Sequence, residues 1–255
     1  MTDTATSADG TKIAYDRTGE GPALILIGGA LSGRHGGAPL AAQLTSQFSV
    51  VTVDRRGRGD SGDTPPYLPA REVEDLTAVI EANGGSAHVY GHSSGGVLAL
   101  EAAAAGAPIT KLAVYEPPYL TRDPVAPEPT TAADVQSALD GGDPGAAVEI
   151  FMRSTGAPWD PAMKETPWWP ALLGVAHTLP YDLALVGDGQ VPAERLAKVS
   201  MPILGLYGGD SPAWAHNAIA AVTAAIPGAR QVVVEGQTHA AAPEAVAPII
   251  IDFFK

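Results

Sequence analysis

The chain has 255 residues, a net charge of −13 with histidine neutral, and no cysteine. So acidic a surface repels phosphate backbones and anionic lipid, which excludes nucleic acid and membrane as expected partners. The absent thiols exclude disulfides, thiolate metal sites and a cysteine nucleophile, and 45% hydrophobic with 17% charged residues fits a globular core.

The opening MTDTATSADG has neither the basic nor the apolar region of a secretory signal, and no run of about 18 apolar residues follows, so a cytoplasmic protein is expected. Asp9-Gly10 reads as a hairpin turn between two short strands. Apolar runs then recur as strands at 23–27, 49–54, 86–90, 109–115, 202–207 and 230–235, most of them stopping at glycine or proline. Unbroken apolar runs of this kind imply burial on both faces, as in a parallel sheet. Helical patterns fall between them at 69–82, 94–105, 213–226 and 243–254. The alternation predicts an α/β fold with helices on both faces of a mostly parallel sheet. Residues 119–190 break the rhythm: they are rich in proline, carry Trp159, Trp168, Trp169 and Tyr181, and show no strand pattern. They read as a helical cap over the strand ends, with 1–118 and 191–255 forming the core.

Gly91-His92-Ser93-Ser94-Gly95 fits G-x-S-x-G, follows a strand and opens a helix of small residues. A turn that tight needs glycine on either side and lifts the Ser93 hydroxyl above the sheet at a helix N-terminus. Ser93 is therefore the candidate nucleophile, with the amide of Ser94 facing the developing oxyanion. A serine hydroxyl needs a base. His239, just past the last strand in Gly236-Gln237-Thr238-His239, is the candidate, ahead of His35, His88, His92, His177 and His216. The second oxyanion amide is expected from Gly28-Gly29-Ala30-Leu31-Ser32, at Ala30 or its neighbour Leu31.

Together, DGTKIAYDRTGEGP, the loop DRRGRGDSG at 54–62, GHSSGG at 91–96 and the late GQTH resemble the α/β-hydrolase superfamily over nearly the whole chain. The resemblance implies the α/β-hydrolase fold. A serine at the nucleophile position is similar to esterases and lactonases, not to the dehalogenases and epoxide hydrolases that place Asp there. The family's usual acid position, G-x-x-D after the penultimate strand, holds Ser211 here, with Asp210 one residue early. Glu116, at a strand end before Pro117-Pro118, is the other candidate; this arrangement resembles the fungal zearalenone lactonases, which use such a Glu. Both carboxylates stay open at this point.

The expected activity is serine hydrolysis of an ester or lactone of a largely apolar small molecule, with no metal or organic cofactor. Leu31, Trp168 and Trp169 are candidate pocket residues. Carbon–carbon bond hydrolysis, thioester hydrolysis and cofactor-free peroxidation would use the same groups, and a non-catalytic binding protein is the alternative of another class. Gly57-Arg58-Gly59-Asp60-Ser61-Gly62 also matches a dinucleotide fingerprint, but no helix begins at its glycines to receive a pyrophosphate. It reads as a structural turn beside the mouth of the site.

Overall fold

The computed structural model describes residues 2–119, 130–155 and 159–255. β1 (Thr2–Thr6) and β2 (Lys12–Thr18) form the expected hairpin, with Gly10 at φ 88° in its turn. β3 (Ala23–Ile27) leads into a short helix, α1 (Ala38–Leu44), and β4 (Ser49–Val53) into α2 (Pro69–Ala82). β5 (Ala87–His92), α3 (Ser94–Ala104) and β6 (Ile109–Tyr115) follow. A helical block comes next: α4 (Thr130–Asp140), α5 (Pro144–Ser154), α6 (Trp169–Val175) and α7 (Leu179–Val186). After α8 (Ala193–Leu196), the chain closes with β7 (Ile203–Gly208), α9 (Ala213–Ala225), β8 (Arg230–Val234) and α10 (Pro243–Phe254).

The eight strands make one sheet in the order β1-β2-β4-β3-β5-β6-β7-β8. β1 and β2 are antiparallel and every pairing from β4 to β8 is parallel. Apolar side chains cover both faces. Val89, Val97, Leu100 and Ile219 belong to the cluster under α2, α3 and α9, and Leu24, Leu44, Ile250 and Phe254 to the cluster under α1 and α10. One strand departs from the expected double burial: Arg230, Gln231 and Val232 of β8 are exposed, because β8 is the last strand of the sheet. Residues 120–129 of the proline-rich block lie outside the described residues; the described part of the block is helical, and α7 packs on α2 and α3.

α3 is buried on nearly every side because it lies between β5, β6, α2 and α7. Small residues make that possible. A methyl group on Gly95 would come within 2.5 Å of the Ile27 carbonyl oxygen and 2.6 Å of that of Gly28. These are backbone atoms at the end of a central strand and cannot swing aside. Gly95→Ala should therefore destabilise the fold by roughly 1–3 kcal/mol, lowering the melting midpoint by about 2–4 °C per kcal/mol. An unchanged midpoint in thermal denaturation would show that β3 and α3 are not in this close register.

Candidate active site

Three strand ends converge above the sheet, and each is bent by an unusual backbone. Among the described residues, the only non-glycine residues with positive φ are Leu31 at 58°, Ser93 at 54° and Glu116 at 45°. Such conformations cost of order 1–3 kcal/mol each and persist where surrounding bonds enforce them. Here they coincide with the loop after β3, the turn after β5 and the end of β6.

Ser93 joins β5 to α3. Its amide donates to the Tyr115 carbonyl at 2.9 Å, while its own carbonyl accepts from Gly96 at 2.8 Å, so strand and helix share one residue. A methyl group on Gly91 would meet the Gly95 carbonyl oxygen at 2.5 Å, which explains the glycine pair around the turn. Ser93 is left half-buried at the N-terminus of α3.

Glu116 has 0% exposure. Its amide extends the sheet to Leu206, and both carboxylate oxygens are engaged. Oε1 accepts from the Gly208 amide at 2.8 Å and from Ser211 Oγ at 2.5 Å. Oε2 lies 2.7 Å from His239 Nδ1. Burial pushes this carboxyl upward, but the bonds from His239, Ser211 and Gly208 outweigh it and hold it below the ordinary range. With a carboxylate at Nδ1, that nitrogen carries the proton and Nε2 is left free to act as a base.

The loop carrying His239 is fastened from below. Tyr115 Oη donates to the Thr238 carbonyl at 2.7 Å, and His92 Nε2 to the His239 carbonyl at 2.9 Å. Burial, with His239 alongside, pushes the His92 imidazole down to about 4. His92 is thus neutral at physiological pH, and its one ring proton is committed to that carbonyl. The Trp214 ring lies 5.7 Å from the His239 ring. Among the described contacts no hydrogen bond joins Ser93 to the His239 ring; catalytic hydrogen bonds are often long before a substrate is bound.

The other anticipated residues distribute unevenly. Asp210 is exposed and forms no ion pair with His239; its amide donates to the Gln237 carbonyl at 2.9 Å. Ala30 and Leu31 are half-buried against the helical block. The Gly29 backbone abuts Ser93, since a methyl group there would sit 2.8 Å from Ser93 Cβ. Ser94 turns its hydroxyl away from Ser93, donating to Asp182 at 2.7 Å. Trp168 is 58% exposed, and Trp169 is buried inside the block beside Trp159. A cavity of about 220 Å³ opens beside His92 and His239, walled by Leu26, Pro39, Tyr90 and Val246. Leu31, Trp168 and Trp169 do not line it. Among the described residues no group of His, Asp and Glu is placed to hold a metal ion, and no helix is long and apolar enough to cross a membrane. Sequence reasoning missed the supporting residues Ser211, Tyr115, His92 and Trp214. One signal was available for Ser211: a serine at the usual acid position together with a spare strand-end glutamate.

The model of the alpha/beta hydrolase family matches residues 24–249. The chain belongs to that family. It is 49% identical to an alpha/beta hydrolase from Sphaerobacter thermophilus DSM 20745, with a TM-score of 0.94 over 99% of this chain and 100% of that one. An esterase from Rhodococcus sp. ECU1013 shares the fold, with a TM-score of 0.74 and 23% identity over 99% of this chain and 98% of that one. N-formylmaleamate deformylase of Pseudomonas putida is 38% identical over 117 residues, a stretch spanning 44% of this chain and 44% of that protein.

Because Glu116 is held below its ordinary range in the folded protein, its charge contributes stability that is complete at neutral pH and lost as pH falls through the folded value. Glu116→Gln should therefore be less stable than wild type at pH 7, and the gap should close below the ordinary value of 4.5. Asp210→Asn should track wild type throughout. Urea denaturation at a series of pH values reads this directly; a gap that does not vary with pH would contradict a buried, ionised Glu116.

Proposed function

We propose that the protein is a serine hydrolase that cleaves carboxylic esters or lactones of largely apolar small molecules. The observation that carries this reading is the 2.7 Å contact between buried Glu116 and His239 Nδ1, taken together with a serine held at φ 54° on a strand-to-helix turn. In this reading His239 Nε2 takes the proton from Ser93 as the hydroxyl attacks the acyl carbonyl. The amides of Ala30 and Ser94 hold the oxyanion, and Glu116 keeps the imidazole in the correct tautomer and stabilises the imidazolium. His239 then protonates the leaving alcohol, and water releases the acyl group by the same steps. No step calls for a metal or organic cofactor. Residues 119–190 act as the cap over a core of 1–118 and 191–255. The apolar preference is supported by Leu26, Pro39, Tyr90 and Val246, which wall the cavity beside His239.

The deformylase relative favours a second reading, hydrolysis of an N-acyl amide on the same groups. The attack is identical and the leaving atom is nitrogen.

Wild type should be labelled by a fluorophosphonate and should turn over p-nitrophenyl esters, and Ser93→Ala should lose both. Glu116→Gln should lower kcat roughly ten-thousand-fold, with Asp210→Asn near normal. Preferential turnover of N-formyl amides over esters would move the assignment to the second reading. Labelling that survives Ser93→Ala would overturn both.

A further inference from the structure

The loop between β4 and α2 contains three arginines, and two of them converge on one carboxylate of the helical block. Asp182, on α7, is 2% exposed. Its Oδ1 accepts from Ser94 Oγ at 2.7 Å and from Arg55 Nη1 at 2.7 Å. Its Oδ2 accepts from Arg58 Nη2 at 2.7 Å. Burial pushes this carboxyl upward, but the charges of Arg58 and Arg55 and the Ser94 hydroxyl outweigh it, so it stays ionised. Arg58 is itself 1% exposed, and its Nη1 donates to the Gly29 carbonyl at 2.7 Å and the Ser32 carbonyl at 3.2 Å.

The peptide between Gly29 and Ala30 is thereby gripped at one end. In a planar trans peptide the carbonyl and the N–H point in opposite directions. A guanidinium on the Gly29 oxygen therefore fixes the direction of the Ala30 N–H and polarises it, making it a better donor to a negative oxygen. The second proposed donor is the amide of Ser94, and Asp182 anchors that residue by its hydroxyl. We infer that Asp182 and Arg58 are positioning residues that brace both halves of the oxyanion hole. Asp182 acts on the Ser94 half directly and on the Ala30 half through Arg58. This rests on the serine-hydrolase reading above. It also makes the hole depend on the helical block, because the carboxylate that braces it comes from α7 rather than from the sheet.

The brace stabilises charge that develops after the substrate has bound. Its loss should therefore lower kcat and leave KM nearly unchanged. Losing one oxyanion donor outright costs about 100- to 1,000-fold in kcat, and a misaligned donor should cost less, roughly 10- to 100-fold. The test uses Arg58→Lys, Asp182→Asn and Ser94→Ala in the full chain, with circular dichroism to confirm folding. Steady-state kinetics on a p-nitrophenyl ester would be followed across pH, and inhibition by an alkyl boronic acid would be measured in parallel. The boronic acid forms an anionic tetrahedral adduct on serine and reports on the hole.

All three variants should lose kcat and boronate affinity together, with KM within about twofold and the inflection of the pH profile unmoved. The pH profile is decisive because the pair of Glu116 and His239 is untouched. Adding Ser94→Ala to Asp182→Asn should cost less than the product of the two single losses, since the Ser94 donor is shared by both. Wild-type kcat in the folded variants would overturn the inference, as would a rise in KM alone or a shifted pH inflection. If Asp182→Asn fails to fold, Ser94→Ala and Arg58→Lys each still test one half. A wild-type protein that neither turns over esters nor takes up a fluorophosphonate defeats the hydrolase reading and the brace with it; an active wild type with unaffected variants defeats the brace alone.

Discussion

A carboxylate with no access to water must find all of its hydrogen bonds within the protein, and Glu116 finds them on three separate elements. The Gly208 amide ends β7, the Ser211 hydroxyl belongs to the turn after it, and His239 lies beyond β8. An unpaired buried charge is among the costliest defects a fold can carry. The ends of β6, β7 and β8 must therefore meet at one place. The left-handed backbone at Glu116 is part of the same solution, since it turns the side chain back toward β7 while its amide still pairs with Leu206. His92 and Tyr115 complete the arrangement from the sheet by holding the carbonyls of His239 and Thr238. A histidine on a loop thus takes its position from rigid strands.

The arginine-rich loop applies the same principle to the other side of the site. Arg55, Arg56 and Arg58 are all buried, so they are no basic patch on an acidic protein. Arg55 grips Glu72 through Nε and Nη2 at 2.6 and 2.7 Å, and Arg56 grips Asp75 through Nε and Nη2 at 2.7 Å each. Paired forks of this kind need arginine and not lysine, because only the planar guanidinium presents two parallel donors. Buried pairs add little net stability against an apolar alternative, yet they tolerate only one arrangement. What the cluster secures is the seat of α7 on α2 and α3, which an apolar contact would leave free to slide.

Most of the scaffold was legible because the strands are continuous apolar runs with sharp ends, and the turn at Ser93 is specified by glycines on either side. α1 escaped notice since its seven residues follow a stretch dense in glycine and carry only a short periodic pattern. The exposure of β8 escaped for another reason: its valines look like those of a central strand, and only the sheet order makes it an edge. His92 could not have been read locally either, because its partner is 147 residues away. The ion partners of Arg55 and Arg58 in α7 lie at similar distances along the chain. Patterns of period and punctuation report on neighbours in sequence; polar bonds that close a site mostly join residues that are not.

The two carboxylates left open by the sequence differ in their surroundings: Glu116 meets His239 and Asp210 is exposed. The turn after β7 points residue 211 inward and residue 210 outward, so a shift of one residue exchanges a half-buried position for an exposed one. The inward position looks at the same spot that Glu116 occupies, and the hydroxyl there comes within 2.5 Å of Oε1. A carboxylate at 211 would face Glu116 across a hydrogen-bond distance, and two like charges that close cannot both stay ionised. The two positions therefore exclude one another as acids. Once β6 ends in a buried glutamate, the residue after β7 must be a donor, and a serine is small enough to be one without displacing the imidazole.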